Sequence, residues 1–270
     1  QRYRVFPMDC EFHLLRHCHN EQSEFDIRIK NTDCEETIVR PFCNSQDIDV
    51  IFGENKTAIK IVRKLKSDPQ IFVTHGSLDE DMSVENVGGK SVVLSTRYFQ
   101  MTATDQNLFL SVSPDLQNQT CGLCGTFNGN GNDDFRKPDK GEAATPNEFL
   151  KKWLNFYDEN SDKCMENQLG DDPALASPTQ LDYCRRNYEL EPAAEKHASI
   201  LINGDSPFQA CWSEVPKEVF YENAVEAYCR HSVSLCDVIA GYAKACGDKG
   251  VVVLKWRQRR EVIDLCQERT

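Results

Sequence analysis

Long apolar runs are missing from this sequence of 270 residues. Residues 251–254 form the longest aliphatic run, far short of the roughly 20 apolar residues that a membrane-spanning helix needs. Basic residues are in deficit, because 31 Lys and Arg against 43 Asp and Glu give a net charge of −12. This acidity disfavours nucleic acid or an anionic membrane as the main partner. Gln1 opens no signal peptide, so we expect the chain to begin downstream of any targeting segment.

Recognisable catalytic arrangements are missing as well. The sequence has no Ser-His-Asp set, no pattern of paired carboxylates and no glycine-rich nucleotide loop, so we name no catalytic residue. His13, His17, Cys18 and His19 raise the alternative of a zinc cluster. The alternation along residues 10–14 instead predicts a strand, which would place these side chains on opposite faces. We therefore disfavour a zinc site.

Cysteine, by contrast, is abundant, with thirteen residues spread over the whole length. So many cysteines predict a disulfide framework formed in an oxidising compartment. Two N-glycosylation sequons, at Asn55 and Asn118, are compatible with secretion. The odd count leaves one cysteine without a partner inside the chain.

The first half of the chain has the alternation of β-strands. Apolar and polar residues alternate over residues 25–30, 48–51, 58–62 and 108–112, with turn signals between the runs. Short strands at this spacing predict an antiparallel sandwich or a partly closed barrel.

From Thr179 onward the periodicity becomes helical. Apolar residues at 181–184, 219–229 and 235–246 predict three helices, with Gly247 as the residue just past the third. We therefore expect an α+β chain of two domains, residues 1–165 and 166–270, in which cysteines help to hold a small helical core.

The most informative stretch is the run CGLCGTFNGNGNDDF at residues 121–135. Its glycines allow tight turns, so short polar side chains and backbone carbonyls can converge on one point. Hard oxygen ligands gathered in this way suit Ca²⁺, whereas the alternative is a polar turn with solvated acids. The candidate ligands are Thr126, Asn128, Asn130, Asp133 and Asp134.

Cys121 and Cys124 form a CxxC pair that permits two interpretations. A low-pKa thiolate beside glycines can exchange disulfides. A thioredoxin-like redox site also requires a βαβ context, which this sequence does not have. We therefore favour two half-cystines that pair elsewhere.

The run at residues 121–135 resembles the signature of the von Willebrand factor type D module. That module recurs in von Willebrand factor, gel-forming mucins, zonadhesin and alpha-tectorin. The second half resembles the eight-cysteine module that follows type D modules, through PFQAC at 207–211, LCD at 235–237 and YAKAC at 242–246. The resemblance implies a β-sandwich-like type D domain followed by a small disulfide-stapled helical domain. It also favours a structural Ca²⁺ ion at residues 126–134.

The resemblance further implies a disulfide pattern that the sequence alone cannot select. The implied bridges are Cys10–Cys164, Cys18–Cys121 and Cys34–Cys43 in the first module, and Cys184–Cys229, Cys211–Cys246 and Cys236–Cys266 in the second. Ala224 and a position near Ala198 usually hold cysteine in the family, so one bridge is lost. Cys124 remains, and its family partner lies on a first strand upstream of Gln1. We therefore expect an upstream fragment of the same precursor to be attached through Cys124.

A basic run, RQRR at residues 257–260, matches the pattern cut by furin-like proteases. It permits two interpretations, cleavage after Arg260 or a solvated basic turn.

The resemblance implies a secreted, extracellular structural or adhesive glycoprotein module. Such a module supports disulfide-linked self-assembly or binds other glycoproteins in a coat, gel or matrix. Two alternatives belong to other classes. Some luciferases, which are oxidoreductases, are built around type D modules, and yolk and lipid-carrier proteins also contain one.

Overall fold

The computed structural model describes residues 9–18, 23–35, 42–53, 57–105, 107–130, 133–144, 146–164, 189–230 and 234–266. The chain divides into two compact units between Ala176 and Ser177. This division and the predicted domain boundary after residue 165 both fall outside the described residues, so the exact boundary stays a prediction.

The first unit is an antiparallel β-sandwich. Its larger sheet has the order β10-β1-β2-β3-β4-β5 and its smaller sheet the order β6-β7-β8-β9. The strands are β1 (Glu11–His17), β2 (Phe25–Glu35), β3 (Phe42–Phe52), β4 (Thr57–Lys64), β5 (Gln70–His75), β6 (Ser83–Val87), β7 (Ser91–Ser95), β8 (Phe99–Thr104), β9 (Leu108–Val112) and β10 (Thr120–Cys121). Two short helices follow, α1 (Pro146–Lys152) and α2 (Ser161–Lys163).

Alternating burial along the strands builds the core between the two sheets. In β4 every second residue from Thr57 to Arg63 is buried, as the sequence period predicts. Phe25 and Phe52 of the larger sheet meet Phe99 of the smaller one, with ring centroids 5.3 and 6.0 Å apart. Buried aliphatic residues of both sheets belong to the same core cluster. The predicted sandwich is therefore confirmed.

The second unit is helical, and the helix predicted to begin at residues 181–184 lies outside the described residues. Its helices are α3 (Glu191–Ala198), α4 (Lys217–Arg230), α5 (Ser234–Asp248) and α6 (Ile263–Cys266). The core holds Phe208 and Tyr242, whose ring centroids lie 5.2 Å apart. Ala198 and Ala224 are both fully buried in this core. Small apolar residues thus fill the region where the family pattern would have a bridge.

The end of α5 differs from the sequence prediction. Gly247 lies inside the helix, which continues to Asp248. Gly250 is the residue with positive φ, at 80°, and the Val251 N–H donates to the Cys246 carbonyl. This bond has the reach of a Schellman motif with Gly250 at C′, so the prediction for Gly247 was wrong by three residues.

In the part of the chain that the structure describes, each helix is too short or too polar to span a bilayer.

Candidate functional site

The CxxC turn is held against β1 by backbone hydrogen bonds. The Leu123 N–H donates to the His13 carbonyl at 3.0 Å, and the Cys124 N–H donates to the Leu14 carbonyl at 2.8 Å. Gly122 directly precedes Leu123, and its φ is 116°. A Cβ at this position would lie 2.8 Å from the Leu14 carbonyl oxygen. Only glycine therefore permits this close approach.

The two cysteines of the motif have different states. Cys121 forms a disulfide with Cys18, and Cys124 is a free, exposed cysteine. Although the residue is exposed, desolvation by its neighbours and the nearby Asp134 carboxylate raise the pKa of the Cys124 thiol. A raised pKa is the opposite of what a redox nucleophile needs, because the thiolate is the reactive form.

Cys124 lines a cleft of about 410 Å³ between the open edges of the two sheets. One wall is apolar, from Leu15 of β1 and Leu110 and Val112 of β9. The rest of the lining comes from Thr120 and from the loop after Cys124, namely Thr126, Phe127, Gly129, Asn130 and Asp134. Within the described ranges, β9 pairs only with β8 and β10 only with β1. Unpaired strand edges beside an apolar wall can accept an additional extended segment.

The loop after Cys124 contains the predicted calcium ligands. The Asn128 amide donates to both Asp133 carboxylate oxygens, at 3.1 and 2.8 Å. The Arg136 guanidinium donates to the same carboxylate at 2.9 Å. The negative charge of Asp133 is therefore balanced by Arg136, and its oxygens accept hydrogen bonds from Asn128 and Arg136.

The remaining candidate ligands also bond within the loop. The Asn130 N–H donates to the Asn128 amide oxygen at 2.8 Å, and the Thr126 N–H donates to Asp134 Oδ1 at 3.2 Å. Side-chain oxygens from one short loop have the chemistry that Ca²⁺ requires. Across the described ranges, however, no three His, Cys, Asp or Glu side chains gather as a metal cluster. The donor set fits Ca²⁺ provided that the ion replaces the Asn128 and Arg136 donors at Asp133.

Most of the cysteine positions named from the sequence can be located in the structure. The structure contains the bridges Cys10–Cys164, Cys18–Cys121, Cys34–Cys43, Cys211–Cys246 and Cys236–Cys266. Cys229 is also disulfide-bonded, while its expected partner Cys184 lies outside the described residues. Each of the five located bridges joins two cysteines of the same unit.

The other candidate positions have ordinary surroundings. Asn118 is exposed in a turn with a φ of 62°, and Asn55 lies outside the described residues. The His13 ring bonds to the Asp26 carboxylate at 2.9 Å, and the His17 ring lies 3.3 Å from the Gln119 side-chain oxygen. Arg260 is exposed in the turn that precedes α6.

A buried charge network on the outer face of the larger sheet was not found from the sequence. Glu11 of β1 contacts Arg28 of β2, and Arg28 also pairs with Asp26 at 2.9 Å. Burial raises the pKa of Glu11. Burial opposes ionisation of Asp26 too, but the hydrogen bond from His13 and the charge of Arg28 outweigh it and lower the pKa of Asp26. The alternation along these strands predicts only that the residues lie on the polar face of the sheet. The segment around Asn155 covers them, and no pattern in the sequence predicts its position.

Comparisons with known proteins agree with the resemblance. The von Willebrand factor type D domain matches residues 1–141, and the C8 domain matches residues 198–262. Mucin-6 of Gallus gallus is 34% identical over 56% of this chain, and Mucin-6 of Homo sapiens is 29% identical over 95%. The IgGFc-binding protein of Homo sapiens is 32% identical over 57% of this chain. The chain spans 12%, 10% and 3% of the length of these three relatives, respectively.

The order of the two matches is the order of the sandwich and the helical unit. The chain therefore belongs to the von Willebrand factor type D domain family and continues into a C8 domain.

Proposed function

We propose that this chain is an assembly module of a secreted, extracellular glycoprotein that forms a gel or matrix. The observation that carries the proposal is Cys124, a free and exposed cysteine in a disulfide-rich chain, located beside an open cleft. Relatives named as mucins support the extracellular setting. Neither the luciferase-like nor the lipid-carrier alternative gains support from the family matches or from the relatives named above.

Cys124 is the proposed attachment point for an upstream fragment of the same precursor. An extended segment that carries a cysteine would pair with the open edge of β9 and cover the apolar wall of Leu15, Leu110 and Val112. The two thiols would lose two protons and two electrons to an oxidising disulfide of the secretory compartment, which is reduced in exchange. Because the thiolate is the attacking form, the raised pKa of Cys124 would slow this step.

Calcium is the proposed structural ion of the loop at residues 126–134. Asp133 and Asp134 would supply carboxylate oxygens, with Thr126, Asn128 and Asn130 as the remaining oxygen donors. When bound, the ion supplies a fixed charge that holds the loop beside Cys124. Arg136 would then lose its place at Asp133.

The covalent part of the proposal is tested by Cys124→Ser in the full precursor, with peptide mapping under non-reducing conditions. We expect the wild-type chain to yield one peptide pair that joins Cys124 to a cysteine upstream of residue 1, and the variant to yield none. A matched control, Cys34→Ser with Cys43→Ser, removes an internal bridge and should leave that pair intact. A bond from Cys124 to a cysteine within residues 1–270 would refute the attachment.

A further inference from the structure

Residues 251–254 form a segment with alternating exposure that lies outside the helices and strands of the described residues. Val251 and Val253 pack against the core of the second unit, while Val252 and Leu254 are 75% and 71% exposed. Alternation of this kind is that of an extended chain. Within the described part of the chain, the backbone groups of residues 252–254 form no hydrogen bond. The segment therefore offers free donors and acceptors together with two exposed apolar side chains.

The residues on both sides of this segment are mostly basic. Residues 249–260, here called the basic segment, contain five Lys and Arg and no acidic residue, in a chain whose net charge is −12. Arg259 is bound to Asp205 at 2.7 Å. Lys249, Lys255 and Arg260 are exposed, and none of them forms a salt bridge with a described residue. A partner of this segment should therefore be acidic, extended and partly apolar.

The first unit contains a strand edge with the complementary properties. Residues 78–87, here called the acidic edge, include four acidic residues, Asp79, Glu80, Asp81 and Glu85, and no basic residue. All four are exposed and form no salt bridge with a described residue. Within the edge lies β6, an edge strand that pairs only with β7 among the described strands.

The acidic edge also offers an apolar contact. Val87, at the end of β6, is 51% exposed. β6 has five residues and the segment at 251–254 has four, so the two are similar in length. Both have backbone groups that bond to no described strand on one side, and their charges are opposite.

We infer that the basic segment of one chain adds to the acidic edge of a second copy by β-strand pairing. The contact is heterologous, because each copy uses one surface of each kind and keeps the other free. Repetition of such a contact therefore joins copies into rings or open chains. A contact of four or five residues is weak alone, and covalent linkage of copies would strengthen it through high local concentration. The contact does not involve Cys124, so it is a second, non-covalent route of assembly.

The test uses sedimentation velocity on the full chain with Cys124→Ser, so that no covalent dimer contributes. We expect the mean mass to rise with protein concentration at about 50 mM salt and the association to weaken about tenfold at about 500 mM salt. Two reversal variants follow, Glu80→Lys with Asp81→Lys, and Lys249→Glu with Lys255→Glu. Each alone should weaken self-association at least about tenfold, because the two facing surfaces then have the same sign.

A mixture of the two reversal variants should restore association, because each altered surface then meets its complement on the other variant. Matched controls make the same change in net charge at exposed positions on other elements, Asp115→Lys with Asp139→Lys, and Lys152→Glu with Lys196→Glu. A further variant, Val252→Ser with Leu254→Ser, should weaken association with no change in charge, whereas Val219→Ser on α4 should not. Far-UV circular dichroism checks that every variant is folded.

Three results would overturn the inference: a mass independent of concentration, an effect of only one of the two reversals, or a mixture that stays monomeric. Failure of covalent capture at Cys124 would leave this experiment unaffected, because every sample lacks that cysteine.

Discussion

At the scale of single residues, Gly122 determines how the CxxC turn attaches to β1. Replacement by Ala would bring a Cβ to 2.8 Å from the Leu14 carbonyl oxygen, at a φ of 116°. The neighbour is backbone and cannot move aside without breaking the bonds from Leu123 and Cys124. We expect Gly122→Ala to lower the free energy of unfolding by about 2–5 kcal/mol in urea titration.

Gly204 provides the control for that substitution. A Cβ at Gly204 meets no atom within 4 Å, so Gly204→Ala should change stability by less than about 1 kcal/mol. Equal effects of the two substitutions would show that the backbone contact at Gly122 is not the cause.

Asp26 and Asp49 should respond to pH in opposite ways. The lowered pKa of Asp26 means that its stabilising contribution is complete above its unfolded value near 4 and is lost as pH falls through the folded value. We expect Asp26→Asn to cost about 1–3 kcal/mol at pH 7 and progressively less below about pH 4. Urea unfolding at several pH values measures both effects.

Asp49, on the neighbouring strand, is the matched control. Burial raises the pKa of Asp49, so its ionised form destabilises the fold at neutral pH and this penalty is relieved as pH falls. Asp49→Asn should therefore leave stability at pH 7 unchanged or slightly higher. A loss equal to that of Asp26→Asn would contradict the assignment.

At the scale of elements, the sequence predicted what period and spacing encode. The alternation over residues 58–62 and the helical stripe over 235–246 both match observed elements, because side-chain burial follows backbone geometry. The end of α5 was misplaced because Gly247 and Gly250 are both plausible C′ residues in the sequence, and only the structure distinguishes them, by the positive φ of Gly250 and the hydrogen bond from Val251. The cleft at Cys124 was not predictable either, since its walls come from strands about 100 residues apart in sequence.

Chelation tests the loop of residues 126–134. An ion that binds only the folded chain stabilises it by about 2.7 kcal/mol at one hundred times its Kd, so removal of Ca²⁺ should lower the Tm. Asp133→Ala with Asp134→Ala should abolish this response, whereas the control Asp115→Ala with Asp139→Ala should keep it. Calorimetric scans with and without chelator measure the shift. An identical wild-type Tm in both would leave only a hydrogen-bonded polar turn.

The residues that precede Arg260 have a conformation that should slow proteolysis. Trp256–Gln258 forms a 3₁₀ turn, and Arg259 is tied to Asp205, whereas proteases need an extended substrate. We expect furin to cut after Arg260 slowly in the wild type and faster in Asp205→Asn, with Asp139→Asn as the control. Mass spectrometry should detect the peptide 261–270 only after reduction, since Cys266 is bonded to Cys236. Appearance of the peptide without reductant would disprove that bond.

At the scale of the whole molecule, the two units have separate cores and separate disulfides. Each of the five bridges located in the structure joins two cysteines of the same unit. Cys229 is expected to bond Cys184, which belongs to the same unit as Cys229. Insertion of a specific protease site after Gly170 should therefore yield two fragments that separate on a denaturing gel without reductant. Fragments that separate only after reduction would reveal a bridge between the units.

The bridge from Cys10 to Cys164 determines how the first unit would respond to a pulling force. The two Cα atoms are 5.9 Å apart, although 154 positions of sequence separate them. Tension entering near residue 10 would leave near residue 164 through one covalent link, so the sandwich between them would carry almost none of the load. Roughly 500 Å of contour length would stay hidden under stretching. A gel in which tension passes along the backbone through such units would resist shear with these β-domains folded.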